Sequence, residues 1–455
     1  MTTILDEFIL RAKTVDFARA CDILKIPQAA KGKSEYQGPC PQPGCGGVDR
    51  FSVNRGKGVW NCRGCGLGGR DGLSLAAHVL LLDLRNRAGF LEACSALLCE
   101  EIPKEGERET DEERAEREAR IAQAQADLDR QTSEKQEERN AHRDREIMRA
   151  RGLWLEAADC LSGTNVAVFG RGVIRDYLKA RTGFLVPETL FENARFRPSA
   201  GYYKGEDRAG RPLSIYSGPA MILPIVNPEA RIIGCHQTWI DLICPEGKYR
   251  PILYGLTKKG QEAGYDVVTD HRRQAPSAEL IEAGFYERLA SKKMRGVKKG
   301  GIVPLIGQPE LLRWAGGEGI ENVVAFAGAE GFRADTFYFT SGDLGNLAGP
   351  AEPASAFMHP ELTYTDTLGR VRKVKVPGPV PKARQGPDDA MQVADHVAEL
   401  LLLADGDSEP VFTASAMARA LARLSRPGLL PQVIWPPEGM DFSGALSAAL
   451  NKGGV

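Results

Sequence analysis

Four cysteines between residues 40 and 65 have the types and the spacing of a zinc site. Four residues separate Cys40 from Cys45, two separate Cys62 from Cys65, and sixteen lie between the two pairs. Both pairs fall in glycine-containing turns, which allow the thiolates to converge on one tetrahedral ion. The stretches "RFSV" and "GVWNC" alternate like two strands of a hairpin. Since four thiolates leave no position open for water, we expect a structural Zn²⁺.

The same hairpin carries cationic and aromatic side chains that could contact single-stranded nucleic acid. Arg55, Lys57 and Trp60 lie in its turn and second strand. Aromatic rings that stack on bases, next to cations that neutralise phosphates, are typical of proteins that bind single strands. The alternative is that the aromatics only form the core of the hairpin, and the chemistry alone leaves both interpretations open.

A second group of residues with metal chemistry is acidic. The run "ELLLLADGDS" places Asp405 and Asp407 directly after a buried strand. In parallel α/β sheets ligands bind at the carboxyl ends of the strands, and two carboxylates on a sharp turn can share Mg²⁺ or Mn²⁺ ions. Such ions can align a 3′ hydroxyl with a nucleotide α-phosphate and its pyrophosphate leaving group. The alternative is an ordinary turn after a strand.

A basic segment precedes this acidic region. The formal net charge of the chain is −1, but "SKKMRGVKKGG" has no acid. Its cations are Lys292, Lys293, Arg295, Lys298 and Lys299. Separate patches of opposite sign suit a protein that binds a polyanion in one place and metal ions in another, although such a segment can also be a solvated loop.

The hydrophobic pattern predicts the elements that must position these residues. Residues 101–150 are nearly all charged, Ala or Gln and predict a solvated helix or a disordered tether. The stretch "AMILPIVNPEARIIGCHQTWID" predicts a β-hairpin with its turn at Asn227-Pro228. After about residue 304, apolar strands alternate with helical stretches, which indicates a mostly parallel sheet.

Composition argues against several protein classes. The chain has 455 residues, of which 42% are hydrophobic and 26% charged, as in globular proteins of two to four domains. No apolar run approaches the ~20 residues that span a bilayer, and the N-terminal stretch is acidic where a signal peptide is basic. We therefore expect a cytoplasmic protein. The sequence has no G-x-x-x-x-G-K-[ST] motif, which argues against a fused P-loop helicase.

The cysteine region resembles a known family. "GPCPQPGCGGVDRFSVNRGKGVWNCRGCGLGGRDGLSL" is similar to the N-terminal zinc-binding domain of bacterial and phage DNA primases in its Cys-Pro pair, its "FSV", its aromatic residue and its C-x-x-C-G-x-G-G. It departs from the family at Cys45, where the family often has His after a shorter gap, and at Arg70, which intervenes before Asp71. The resemblance implies a toprim module, which is a small α/β fold with one Glu and a D-x-D pair.

Asp405 and Asp407 supply that pair, and two glutamates compete for the remaining position. Glu318 in "GEG" resembles the Glu-Gly turn that opens toprim modules, whereas Glu330 in "AGAEGF" follows the strand-like "NVVAFA". We favour Glu318, because a helix over 320–331 leaves "TFYFTSGDLGN" as the second strand, in toprim order. Weaker candidates near the same sheet end are Asp343 and Asp441.

The middle of the chain resembles the basic region that precedes toprim in bacterial primases. "VIRDYLKARTGF" is similar to a helix of that region, and the predicted hairpin has Arg231 at the family's Arg position. The resemblance implies that Arg231 and the basic segment bind template phosphates and the nucleoside triphosphate.

We therefore expect a multidomain α+β and α/β protein in which a zinc ribbon and a charged helical linker precede a basic subdomain and a toprim-like domain. The expected bounds are 1–100 for the zinc-binding domain, 101–152 for the linker, 153–305 for the basic subdomain, 306–445 for the toprim-like domain and 446–455 for a tail.

The resemblance implies a DNA primase that synthesises short RNA primers on single-stranded DNA from ribonucleoside triphosphates. Glu318, Asp405 and Asp407 would hold Mg²⁺ or Mn²⁺ for nucleotidyl transfer, and a separate replicative helicase would act beside it in phage, plasmid or mobile-element replication. Two alternatives stay open: a toprim nuclease, and a non-catalytic DNA-binding protein of replication or mobilisation.

Overall fold

The computed structural model describes residues 3–29, 35–42, 50–62, 67–103, 110–206, 211–365 and 371–453. Cys45 and Cys65 lie outside these ranges. The protein is mixed α/β, and the strands of the described residues form five sheets.

The chain divides into two compact units. One unit consists of Met1–Asn140 and His359–Val374, and the other of Ala141–Met358 and Lys375–Val455. The basic region and the α/β region after residue 304 therefore belong to one unit. Among the described helices none is both long and apolar enough to cross a membrane.

In the first unit, strands β1 to β4 form an antiparallel sheet in chain order, next to short helices. The elements are α1 (Ile4–Thr14), α2 (Phe17–Ile23), β1 (Tyr36–Gly38), β2 (Phe51–Asn54), β3 (Val59–Cys62), β4 (Leu67–Gly69), α3 (Gly72–Leu80) and α4 (Arg87–Leu98).

Local sequence signals explain where these helices begin. Thr3 forms a capping box with Asp6 at α1, and the carboxylate of Asp71 accepts a hydrogen bond from a backbone N–H of α3. A long helix, α5 (Asp111–Glu156), follows, and most of its side chains are exposed. The charged stretch is thus a solvated helix over these residues, which decides between the two interpretations of its composition.

The second unit begins with an antiparallel sheet in the order β11-β8-β7-β6-β5, and β9 pairs with β10 separately. The elements are β5 (Ala158–Asp159), α6 (Asn165–Thr182), β6 (Arg195–Glu206), β7 (Pro212–Val226), β8 (Ile232–Trp239), β9 (Leu253–Leu256), α7 (Lys258–Glu262), α8 (Ala278–Glu282), β10 (Tyr286–Leu289) and β11 (Lys292–Gly296). The predicted hairpin is confirmed as β7 and β8. Half of the basic segment forms the edge strand β11 instead of a loop.

The same unit continues with a mainly parallel sheet in the order β12-β14-β13-β17-β18, in which β12 is antiparallel. The elements are β12 (Val303–Ile306), β13 (Arg313–Gly317), α9 (Ile320–Ala329), β14 (Thr336–Thr340), α10 (Leu344–Ala348), β17 (Glu399–Leu403), α11 (Pro410–Leu424), β18 (Gln432–Ile434) and α12 (Phe442–Gly453). Strands β15 (Phe357–Thr365) and β16 (Val371–Val376) form a separate two-stranded sheet, and most of their residues belong to the first unit, in its segment His359–Val374.

Both faces of the parallel sheet are buried, because alternate side chains enter different clusters of the core. Trp314, Phe339 and Leu402 pack on one face, against residues of α11. Ala315 and Leu403 pack on the other face, against residues of α6 and α9. This double burial explains why the strands are continuous apolar runs and why the polar residues lie where the strands end.

Candidate functional site

The carboxyl ends of β13, β14 and β17 meet at one edge of the parallel sheet. Gly317, the last residue of β13, pairs with Leu403 of β17 and with Thr340 of β14. Glu318 and Asp405 follow these strand ends, so the register brings both carboxylates to the same edge. We call Glu318, Asp405 and Asp407 the acidic edge.

Hydrogen bonds fix the backbone and the side chains there. The hydroxyl of Thr340 donates to the backbone carbonyl of Glu318. Asn322, in the first turn of α9, lies with its amide nitrogen 3.4 Å from Asp405 Oδ1, and the Ser408 hydroxyl donates to Asp405 Oδ2 at 2.7 Å. The backbone of Glu318 is thus held by β14, and the side chain of Asp405 by α9 and by its own turn.

Glycine is required between the two aspartates. A Cβ on Gly406 would lie 2.3 Å from the carbonyl oxygen of Met440, which is backbone and cannot move aside cheaply. The D-G-D turn therefore packs closely against the loop that follows β18.

The electrostatics of the acidic edge are those of carboxylates that repel one another. Burial, and then the charges of Asp405 and Asp343, raise the pKa of Glu318 to about 7, although Lys298 acts in the opposite direction. The pKa of Asp407 is also raised, by burial and by its interaction with Asp405.

Hard oxygen ligands with this mutual repulsion fit a divalent cation such as Mg²⁺ or Mn²⁺, which would relieve the repulsion. In the described part of the chain, the oxygens of the three acids are not all within 4.8 Å of one another, as expected for like charges. Glu318, Asp405 and Asp407 are the side chains that would hold the ion.

Glu330 lies elsewhere, at the other end of β13. Its carboxylate accepts hydrogen bonds from Arg313, the first residue of β13, at 2.6 and 3.0 Å, and from the Tyr338 hydroxyl at 2.9 Å. The structure thus brings Glu318, and not Glu330, together with Asp405.

The two weaker candidates cap helices. Asp343 accepts a hydrogen bond from the backbone of Asn346 at 2.6 Å at the start of α10, and Asp441 accepts one from Gly444 at 2.6 Å at the start of α12. Asp343 still contributes negative charge to the acidic edge, because it raises the pKa of Glu318.

The predicted basic residues differ in what they contact. Lys298 forms an ion pair with Asp343, and Lys293 lies 3.4 Å above the Tyr202 ring while it donates to the carbonyl of Tyr203. The exposed cations are Arg231, Arg295 and Lys299.

Lys292, one of the predicted phosphate ligands, forms a buried ion pair. Its ammonium donates to the buried carboxylate of Glu321 at 2.6 Å. A cation with its charge compensated in this way is a poor phosphate ligand.

The second unit contains a cationic cavity of about 450 Å³ that the sequence did not predict. Its lining includes Lys248, Arg250 and Arg288 beside Lys292, and the buried Nε of Arg250 has no hydrogen-bond partner among the described residues. Lys248 lowers the pKa of Asp407, so the charge of this cavity wall acts on the acidic edge. A larger cavity of about 1010 Å³, lined in part by Tyr216 and Tyr254, is not lined by any of the three acids.

The first unit contains a candidate metal centre. The ligand atoms of Cys40, Cys62 and His78 lie within 4.8 Å of one another, and thiolates with imidazole are the donors that zinc prefers. Cys45 and Cys65, the other two predicted ligands, lie outside the described residues. His78 was not predicted, because it comes from α3, beyond the hairpin.

His78 is held firmly in this centre. It is 3% exposed, stacks on Phe51 and lies 4.5 Å from the Trp60 ring. Burial lowers its pKa and keeps the imidazole neutral. Its Nε2 is 3.3 Å from Cys40 Sγ, a distance at which an imidazole can share an ion with the thiolate or donate to it.

The three hairpin residues predicted to contact nucleic acid differ in their exposure and contacts. Trp60 is 5% exposed and donates from its indole N–H to Ser74. The guanidinium of Arg55 donates to Asp22 and to the carbonyls of Ala18 and Ile26. Both side chains hold the unit together, whereas Lys57 is exposed.

Two comparisons relate the chain to known proteins. Residues 144–250 match a family described as a domain of unknown function, DUF7146. No curated protein matches. A crystal structure of the Aquifex aeolicus primase, with its zinc-binding and RNA polymerase domains, is similar at 15% sequence identity and a TM-score of 0.29, and covers 98% of this chain and 84% of that one. At this TM-score the likeness carries no conclusion about function.

Proposed function

We propose that the protein is a DNA primase that joins ribonucleotides into short primers on a single-stranded DNA template. The observation that carries this proposal is the meeting of Glu318, Asp405 and Asp407 at the carboxyl edge of a parallel sheet, next to a cationic cavity. When bound there, Mg²⁺ or Mn²⁺ would supply Lewis-acid activation of a nucleotide phosphate and of the attacking hydroxyl.

The cationic residues of the chain have two proposed roles, one toward the nucleotide and one toward the template. Lys248, Arg250 and Arg288 line a cavity of the size and sign that a nucleotide's phosphates need. Arg295 and Lys299 are exposed and available to template phosphates. The metal centre of the other unit supplies a folded zinc domain, as the primase resemblance implies.

The deciding experiment measures incorporation of labelled ribonucleotides on single-stranded DNA with Mg²⁺ or Mn²⁺. We expect synthesis by the wild type and loss of at least ~10³-fold in the Asp405→Ala/Asp407→Ala double variant, since the ion site would be removed. Glu330→Gln should retain activity. Synthesis that survives the double change refutes the site, and metal-dependent DNA cleavage without synthesis identifies a toprim nuclease. DNA binding with neither reaction identifies a non-catalytic protein.

A further inference from the structure

A buried hydrogen-bonded network lies one helical turn after Glu318. Glu321, in the first turn of α9, is 5% exposed. Its Oε2 accepts a hydrogen bond from Lys292 Nζ at 2.6 Å, and its Oε1 accepts one from the Tyr177 hydroxyl at 2.5 Å. The three side chains come from α9, β11 and α6, so the network joins three elements beneath the turn that carries Glu318.

The carboxylate of Glu321 is charged. Burial alone would raise its pKa, but the Lys292 ammonium and the two hydrogen bonds hold that pKa well below its usual range. Desolvation of the two charges offsets most of their attraction, so a buried ion pair contributes little net stability, whereas removal of one partner leaves the other uncompensated. The network instead fixes the relative positions of α6, α9 and β11, because both oxygens of the Glu321 carboxylate are satisfied in only one arrangement of these elements.

We propose that Tyr177, Glu321 and Lys292 are positioning residues for the acidic edge. Glu318 precedes the N-cap residue of α9, Gly319, and Asn322, the residue after Glu321, approaches Asp405. A shift of this turn therefore moves Glu318 and Asn322 together, relative to the D-G-D turn.

Sites that bind ions through several ligands are sensitive to such shifts, because side chains behind the ligands typically contribute ~10- to 100-fold to metal affinity. Lys292 also lines the cationic cavity, so the network links the cavity wall to the helical turn that follows Glu318. The catalytic role of this positioning rests on the proposed function, whereas its test measures metal binding and does not depend on that function.

The test measures Mn²⁺ binding to the full chain by electron paramagnetic resonance of the free ion, with the Asp405→Ala/Asp407→Ala variant defining the binding that belongs to the acidic edge. We expect Glu321→Gln, which keeps the shape and removes the charge, to weaken this binding by about tenfold. Tyr177→Phe, which removes one hydroxyl, should weaken it by about two- to fivefold while the protein stays folded.

A matched control lies at the other end of the same helix. Glu330→Gln removes one of the two carboxylates that form ion pairs with Arg313, so it should lower the unfolding temperature while Mn²⁺ affinity stays within about twofold of wild type. The proposal is overturned if Glu321→Gln and Tyr177→Phe bind Mn²⁺ like wild type, if Glu330→Gln weakens binding equally, or if the wild type binds no Mn²⁺ at the acidic edge. A wild type that binds Mn²⁺ but makes no primers refutes the proposed function and leaves this inference standing.

Discussion

Lys298 of the basic segment forms an ion pair with Asp343, the residue that caps α10. The charges of the pair act on the acidic edge, since Lys298 lowers the pKa of Glu318 while Asp343 raises it. Asn346, one turn into α10, accepts a hydrogen bond from Gly300 N–H and donates to the carbonyl of Gly301. The basic segment is thus fastened to the sheet where the carboxylates meet, and its charge compensates part of their repulsion.

Lys298→Ala should move the pH dependence of metal binding to higher pH. Removal of the ammonium leaves the pKa of Glu318 above its wild-type value of about 7, so an incoming cation must displace a proton over a wider pH range. We expect the pH at which Mn²⁺ affinity is half-maximal to rise by about half a unit or more. The affinity reached at alkaline pH should not fall, because loss of the ammonium also removes its repulsion of the cation. Lys299→Ala, which removes an exposed charge, is the control, and equal midpoints for both variants would contradict this account.

Glu318→Gln should make the metal-free protein less sensitive to pH. The folded-state pKa of Glu318 is raised from 4.5 to about 7, so folding favours its protonated form. This contribution is fully present below about pH 4.5 and is lost as the pH rises through 7. The difference between the pKa values of 4.5 and about 7 corresponds to roughly 3.4 kcal/mol at most, and solvent screening of the partly exposed side chain reduces it. Urea unfolding in a chelator from pH 5 to 8 measures it, and a wild-type curve parallel to that of the variant would show that Glu318 titrates normally.

The acidic edge could be predicted from sequence because it depends on local signals. Apolar strands that end in "GEG" and "DGD" identify Glu318 and Asp405, and the length of α9 decides against Glu330. The network and the cavity could not be predicted, because tertiary packing makes them: Glu321 lies 29 residues from Lys292. Periodicity also does not reveal that Trp60 lies inside its unit, since a two-stranded hairpin has no inner face until a helix covers it.

Arg55→Ala should destabilise the first unit and change nucleic-acid binding only through unfolding. The guanidinium satisfies Asp22 and two backbone carbonyls of the segment around α2, and hydrogen bonds that involve a charged group contribute about 1.5–3 kcal/mol. We expect the unfolding free energy to fall by about that amount. Lys57→Ala, with its exposed charge, should leave stability unchanged and weaken salt-dependent binding of single-stranded DNA. Weaker DNA binding by a fully folded Arg55→Ala protein would restore Arg55 to the binding surface.

Cys62→Ser should release zinc from the protein. Cys62 is fully buried and belongs to the cluster with Cys40 and His78, and serine is a far weaker zinc ligand than thiolate. We expect the zinc content, measured by elemental analysis after dialysis, to fall from about one ion per chain to near zero. Cys94→Ser changes a buried cysteine of the same unit that is not in the cluster and should keep its zinc. Retention of zinc by Cys62→Ser would remove Cys62 from the ligand set.

His78→Ala should weaken zinc binding without changing the ligands of the ion. The amide nitrogen of Gln42 lies 3.2 Å from His78 Nδ1 and 3.1 Å from the His78 carbonyl oxygen, so it donates to both. Nδ1 is then the acceptor, and Nε2 carries the proton that it donates to the Cys40 thiolate. Loss of a donor behind a ligand typically reduces metal affinity by ~10- to 100-fold. In the Co²⁺-substituted protein the visible ligand-field bands should keep their wavelengths in His78→Ala. A shift of those bands would instead make His78 a direct ligand, because replacement of nitrogen in the coordination sphere changes their energies.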